Sequence, residues 1–158
     1  MTVQKEFTDK NGNYDILLKH VADRKLRRII DVGAWWGPWS LFWQPHAEKL
    51  EIFEPNKRIL PMLEHNISTY DNCTLHKTAL GESRGTVSMG YDTHSGTNHV
   101  TDPMGDTGIN TLDSYNFDNV DVIKIDVEGY EMPVLRGAEH TIMTNSPMIQ
   151  IEGNKSGQ

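Results

Sequence analysis

Cysteine and long apolar segments are what this sequence most clearly lacks. Its 158 residues include one cysteine, Cys73, so no disulfide can form within the chain. No apolar run approaches the roughly 20 residues of a membrane-spanning helix, and residues 2–10 are charged rather than signal-like. We therefore expect a cytoplasmic chain in a reducing compartment, with no membrane partner.

Basic residues are also scarce. Lys and Arg number 15 against 22 Asp and Glu, and the net charge of −7 is carried by residues 102–131, where eight acids face one base. Because phosphate binding needs Lys and Arg, this charge disfavours nucleic acid and anionic membranes as partners. A cationic ligand is compatible with this charge. The length predicts one domain over residues 14–158, after a loose segment 1–13.

The chain is organised around residues 28–40. A β-branched run, residues 29–32, precedes Gly33 and Gly37, and Pro38 is well suited to open a helix. Such a strand, turn and helix bring backbone close to a ligand, and the free N–H groups of the helix start attract an anionic group. Asp31, at the strand end, is suited to accept from an amine. The segment predicts a nucleotide-like cofactor that carries an amine and a carboxylate.

All four tryptophans lie between residues 35 and 43. Trp39 and Trp43 are expected to pack between helix and sheet. Trp35 and Trp36 lie in the turn itself, where an indole either packs or forms a wall of a cofactor pocket.

Strands alternate with helices along the rest of the chain, which is typical of a three-layer α/β fold with a parallel sheet. A ligand then binds beyond the carboxyl ends of the strands, near the switch point between the first and fourth strands. The predicted elements are a helix at 14–24, strands at 29–32, 50–54, 73–80, 121–127 and 147–152, helices at 38–43 and 56–68, one helix after Gly129, and a long loop or irregular hairpin at 91–108.

Several acids fall at predicted strand ends. Glu54 lies 21 residues beyond Gly33, close to the spacing at which an acid binds ribose hydroxyls. Asp126 and Glu128 are two apart in a segment predicted to be extended and so point to one side, and Glu131 opens the next helix. A carboxylate here is suited to take a proton from an attacking hydroxyl. The structural alternative is that these acids cap helices. No metal is expected, although a divalent ion bound by these acids is an alternative.

An ordered series of motifs runs through residues 29–152. It consists of Asp31-Val-Gly-Ala34 with Gly37 and Ser40, Phe53-Glu-Pro-Asn56, Ala79-Leu-Gly81, Thr111-Leu-Asp-Ser114, Lys124-Ile-Asp-Val-Glu-Gly-Tyr-Glu131 and Val134-Leu-Arg-Gly-Ala138. With this series the chain resembles S-adenosylmethionine-dependent methyltransferases of the FkbM family.

That resemblance implies a three-layer, Rossmann-like class I methyltransferase fold with a mainly parallel sheet, here without the C-terminal strands. It implies methyl transfer from S-adenosyl-L-methionine to a hydroxyl of a small molecule such as a sugar or polyketide. The implied cofactor-binding residues are Asp31, Gly33, Ala34, Trp35, Gly37, Glu54 and Ala79, and the implied catalytic residues are Asp126, Glu128 and Glu131.

Two other functions remain open at this point. A nicotinamide-dependent oxidoreductase would also use Glu54 on a ribose, although the turn lacks the G-x-G-x-x-G pattern. The second is a non-catalytic cofactor-binding module, since Trp35 stands where the family usually has Asn. The apolar last strand, residues 147–152, predicts a bare sheet edge, and hence either a homodimer through that edge or a shortened form of a longer protein.

Overall fold

The computed structural model describes residues 25–91 and 98–152. The predicted loose segment 1–13, the predicted helix 14–24 and the tip of the predicted hairpin lie outside the described residues. The one-domain organisation over residues 14–158 stays a prediction.

Two sheets contain the strands of the described residues. The strands are β1 (Leu26–Val32), β2 (Ala47–Phe53), β3 (Cys73–His76), β4 (Ala79–Leu80), β5 (Gly85–Tyr91), β6 (Asn98–Asn110), β7 (Val120–Ile125) and β8 (Met148–Ile151). The larger sheet has the order β3-β2-β1-β7-β8, with every neighbouring pair parallel. The predicted parallel sheet is confirmed. Strand order reverses between β1 and β7, which are the predicted first and fourth strands, so their carboxyl ends open a crevice there.

Helices cover both faces of the larger sheet. They are α1 (Pro38–Trp43), α2 (Leu60–Ile67), α3 (Glu131–Arg136) and α4 (Glu139–Asn145), with 3-10 turns at Gln44–His46 and Leu112–Tyr115. Trp39 and Trp43 of α1 are at most 2 % exposed and pack with Leu63 of α2 on one face. Val134 and Ala138 pack on the other face. The three layers and the packing of these two tryptophans are confirmed.

Two helix predictions needed correction. The segment after Gly129 forms two helices rather than one, and they meet at Gly137, where a Cβ would lie 1.9 Å from the carbonyl oxygen of Gly81. The predicted helix 56–68 begins only at Leu60, because Asn56 forms a turn in which its side chain accepts from the Arg58 N–H at 2.9 Å.

The predicted strand 73–80 is in fact two strands. It breaks after His76, so that β3 joins the larger sheet and β4 joins a smaller one with the order β4-β6-β5. The predicted loop or irregular hairpin at 91–108 contains most of β6, which pairs antiparallel with β5. Residues 98–108 are therefore strand rather than loop, and their partner β5 lies almost entirely before the predicted segment. Register shifts between Val87 and Met89 interrupt the alternation by which a regular strand is recognised.

β8 is the last strand of the larger sheet within the described residues. Ile151, at its end, is 45 % exposed. The apolar edge is therefore present, and dimerisation through it stays a prediction. Among the described helices, none combines the length and apolar character needed to cross a membrane.

Candidate cofactor and active site

A cavity of about 270 Å³ lies beyond the carboxyl ends of β1, β2 and β7. Its volume is near the lower end for small-molecule sites. Of the ten residues predicted for the site, six line it: Gly33, Trp35, Glu54, Ala79, Asp126 and Glu128. The apolar part of the wall includes Val32, Phe53, Leu80, Met89, Val127 and Tyr130. The cavity therefore combines an apolar surface with three carboxylates, and none of the described residues that line it is Lys, Arg or His.

Glu54 directly follows β2 and is held rigidly. Its side chain is buried, Oε2 accepts from the Trp35 N–H at 2.7 Å, and Oε1 accepts from the Asn56 N–H at 2.8 Å. Burial raises the pKa of Glu54 to about 7, although both N–H bonds favour the charged form. Each carboxylate oxygen can accept a second hydrogen bond. Glu54 is thus arranged to accept from two neighbouring hydroxyls, as the ribose prediction requires.

The glycine turn is shaped by packing of the backbone. Gly33 has φ +78°, and a Cβ there would lie 1.9 Å from the backbone oxygen of Asp126. Gly37 has φ +93° and lies against Leu63 rather than the cavity.

The N–H groups of this turn are used within the protein. Gly33 and Ala34 donate to the Phe53 carbonyl, Gly37 donates to the Ala34 carbonyl, and Trp35 donates to Glu54. These four N–H groups are therefore not free to bind an anionic group. The expectation that the helix start provides free donors concerns the residues from Pro38 onward and stays a prediction. Ala34 and Gly37 do not line the cavity.

Asp31 lies beneath the cavity rather than in its wall. It is fully buried, its Oδ2 accepts from the Ser40 hydroxyl at 2.5 Å, and its Oδ1 lies 3.4 Å from Lys124 Nζ. The prediction that Asp31 serves a cofactor amine, directly or through water, stays a prediction, and in this structure both carboxylate oxygens face protein groups. The reason is that Lys124 is the register partner of Asp31 on the adjacent strand β7, which sequence distance conceals.

Lys124 connects this buried acid to the cavity wall. Its Nζ donates to the Gly33 carbonyl at 3.2 Å and lies 3.3 Å from Asp126 Oδ2. Burial lowers the pKa of Lys124, but Asp31 and Asp126 outweigh burial and hold the pKa above its ordinary value. A buried ammonium thus ties the glycine turn to Asp126.

Asp126 and Glu128 both line the cavity, as predicted, but not for the predicted reason. β7 ends at Ile125, and Glu128 has φ +50°, so the segment is a turn and not extended. Glu131 lies outside the lining, and its Oε1 accepts from the Gly129 N–H at 2.9 Å. For Glu131 the geometry matches the structural alternative, a carboxylate that caps the turn before α3.

Some wall residues were missed by sequence reasoning. Met89 reaches the cavity from β5, and Thr78 lies between β3 and β4. Both depend on the smaller sheet, which forms by pairing between distant residues and leaves no local signal. Tyr130 lies inside the matched motif 124–131, where a signal did exist. Within residues 25–91 and 98–152, no group of three or more His, Cys, Asp or Glu is arranged to hold a metal ion.

Comparison with known proteins places this geometry in a family. Residues 31–157 match the methyltransferase FkbM domain. The chain belongs to the FkbM methyltransferase family. The structure of methyltransferase FkbM from Methylobacillus flagellatus KT is similar, with a TM-score of 0.63 and 20% identity over 81% of this chain. The present chain spans 33% of the length of that protein.

The Rossmann-like methyltransferase fold is confirmed by a second structure, an rRNA methylase from Streptococcus thermophilus. Its TM-score is 0.54 at 12% identity, covering 91% of this chain and 67% of the methylase. A search of curated proteins finds no match. The family match thus supports methyl transfer as the general chemistry of the family, and the two solved structures support the fold.

Proposed function

We propose that the FkbM domain described here binds S-adenosylmethionine in the cavity and transfers its methyl group to a hydroxyl oxygen of a small molecule, such as a sugar or a polyketide. The observation that carries this proposal is Glu54, a buried carboxylate fixed by two backbone N–H groups at the end of β2. It has the acceptor capacity for both ribose hydroxyls.

The rest of the lining fits the same cofactor. S-adenosylmethionine supplies a methyl group bound to a positively charged sulfur. Asp126 and Glu128 give the wall a negative charge that favours a cation. The half-buried Val127 and Tyr130 offer apolar surface for a purine. The same carboxylates disfavour phosphate-bearing acceptors, which supports a small neutral molecule over RNA.

Asp126 is our candidate for the proton transfer. Its side chain is 31 % exposed, so it is accessible from the cavity, and Lys124 holds it through Oδ2 at 3.3 Å. We assign its other oxygen to the acceptor hydroxyl, whose proton it takes as the oxygen attacks. Glu128 lies on the same wall and adds negative charge there. Most of the rate then comes from positioning the two reactants, with proton removal assisting.

Titration calorimetry tests the cofactor assignment. The chain is titrated with S-adenosylmethionine, S-adenosylhomocysteine and NAD. Glu54→Ala is compared with Glu48→Ala, which replaces an exposed acid within β2. We expect Glu54→Ala to weaken S-adenosylhomocysteine binding by roughly 1–3 kcal/mol, because two hydroxyls lose a charged acceptor. Glu48→Ala should bind like the wild type.

The rival functions predict other results. Binding of NAD without S-adenosylhomocysteine would favour the nicotinamide-dependent oxidoreductase. If S-adenosylmethionine binds but its isotope-labelled methyl group is not transferred to any of a panel of sugars and polyketides, the non-catalytic module is favoured.

A further inference from the structure

Trp35 combines two unfavourable features at the cavity. Its side chain is 45 % exposed, whereas Trp39 and Trp43 nearby are at most 2 % exposed. Its backbone has φ +54°, in the left-handed region that bulky residues rarely adopt. Both features cost free energy, and residues held in such conformations cluster at ligand sites.

The backbone conformation of Trp35 is fixed by the candidate site itself. Its N–H donates to Glu54 Oε2 at 2.7 Å, so the residue is bonded to the carboxylate assigned to the ribose. Its indole lines the cavity and contacts Trp36, with ring centroids 5.5 Å apart at 58°. Because the two rings are tilted, stacking on Trp36 leaves one face of the Trp35 indole uncovered.

We propose that the Trp35 indole is a binding surface for the nucleoside part of the cofactor held by Glu54. This inference rests on the proposed function. A ligand whose sugar hydroxyls bind Glu54 lies next to Trp35, because the Trp35 N–H donates to the same carboxylate. A planar purine and the apolar face of a ribose both pack well on an indole. Ligand contact then covers the exposed ring and offsets the cost of the left-handed backbone.

Two substitutions separate the indole from the backbone. Trp35→Asn removes the ring, keeps the N–H to Glu54, and places a residue that tolerates the left-handed region. Trp35→Phe keeps an aromatic face. Met143→Asn on α4 is the control, because Met143 is 75 % exposed and does not line the cavity. Each protein is titrated with adenosine and with S-adenosylhomocysteine, and its thermal unfolding is followed without ligand.

We expect Trp35→Asn to unfold at the wild-type temperature or above it, while its affinity for both probes falls about tenfold. Trp35→Phe should stay within about threefold of the wild type, and Met143→Asn should not differ from it. Equal affinity of Trp35→Asn and the wild type would overturn this inference and leave the proposed function intact. Failure of the wild type to bind either probe would overturn both.

A measurement on the wild type covers the case in which Trp35→Asn does not fold. Hydroxyl-radical footprinting with saturating adenosine should protect Trp35 from oxidation and leave Met143 unprotected. Unchanged oxidation of Trp35 would overturn the inference.

Discussion

Replacing Lys124 with methionine tests the buried network beneath the cavity. Methionine keeps most of the apolar stem and removes the ammonium, which lies 3.4 Å from Asp31 Oδ1 and donates to the Gly33 carbonyl at 3.2 Å. Asp31 is fully buried, and its Oδ1 has no hydrogen-bond partner among the described residues. Without Lys124, Asp31 would keep the hydrogen bond from the Ser40 hydroxyl but would have no cation beside it among the described residues.

The magnitude follows from that geometry. Removing one partner of a buried ion pair costs about 3–5 kcal/mol, because the other charge stays buried and uncompensated. Total stabilities are about 5–15 kcal/mol, so Lys124→Met should lose a large share of the free energy of unfolding. Urea unfolding followed by circular dichroism measures this loss.

Two further variants make the test specific. Lys49→Met, at an exposed position on β2, should change stability by no more than about 0.5 kcal/mol. Adding Asp31→Asn to Lys124→Met should restore part of the loss, because the unpaired carboxylate becomes neutral. A loss below about 1 kcal/mol for Lys124→Met would show that the ion pairs of Lys124 do not stabilise the folded site.

Three further predictions concern the cavity wall. Because burial raises the pKa of folded Glu54 from 4.5 to about 7, the folded state binds the extra proton between these values, and stability falls as pH rises through them. In urea unfolding at several pH values, Glu54→Gln should remove up to about 3 kcal/mol of this decline in the free energy of unfolding. The affinity of the wild type for S-adenosylhomocysteine should rise over the same pH range. Asp126→Asn should keep cofactor affinity and lower turnover by roughly 10²–10⁴-fold on an identified acceptor. Asp71→Asn, at an exposed position, is the control. Lost cofactor affinity with unchanged turnover would contradict the role of Asp126 in proton transfer. Gly33→Ala should cost more stability than Gly129→Ala, which has a similar φ of +95° but nothing within 4 Å of its Cβ and should lose only about 1–2 kcal/mol.

The sequence was most informative where the signal is local. The β-branched run before Gly33 predicted the central strand, and strand-helix alternation predicted the parallel sheet and its switch point. The positions of Glu54 and Asp126 follow from this topology, since acids at the carboxyl ends of parallel strands meet at one edge of the sheet.

Other features depend on contacts between distant residues. Asp31 looks like a ligand-binding acid until β7 brings Lys124, 93 positions later, beside it. The β5–β6 hairpin was obscured by its register shifts, and with it the contribution of Met89 to the cavity. The left-handed backbone of Trp35 has no sequence signal, because tryptophan does not favour that region.

A crystal structure of the chain with S-adenosylhomocysteine bound tests the central claim most directly. We expect the two ribose hydroxyls to lie within hydrogen-bonding distance of the Glu54 carboxylate, in the cavity beyond the carboxyl ends of β1, β2 and β7. A ligand bound elsewhere, or in this cavity with its ribose away from Glu54, would contradict it.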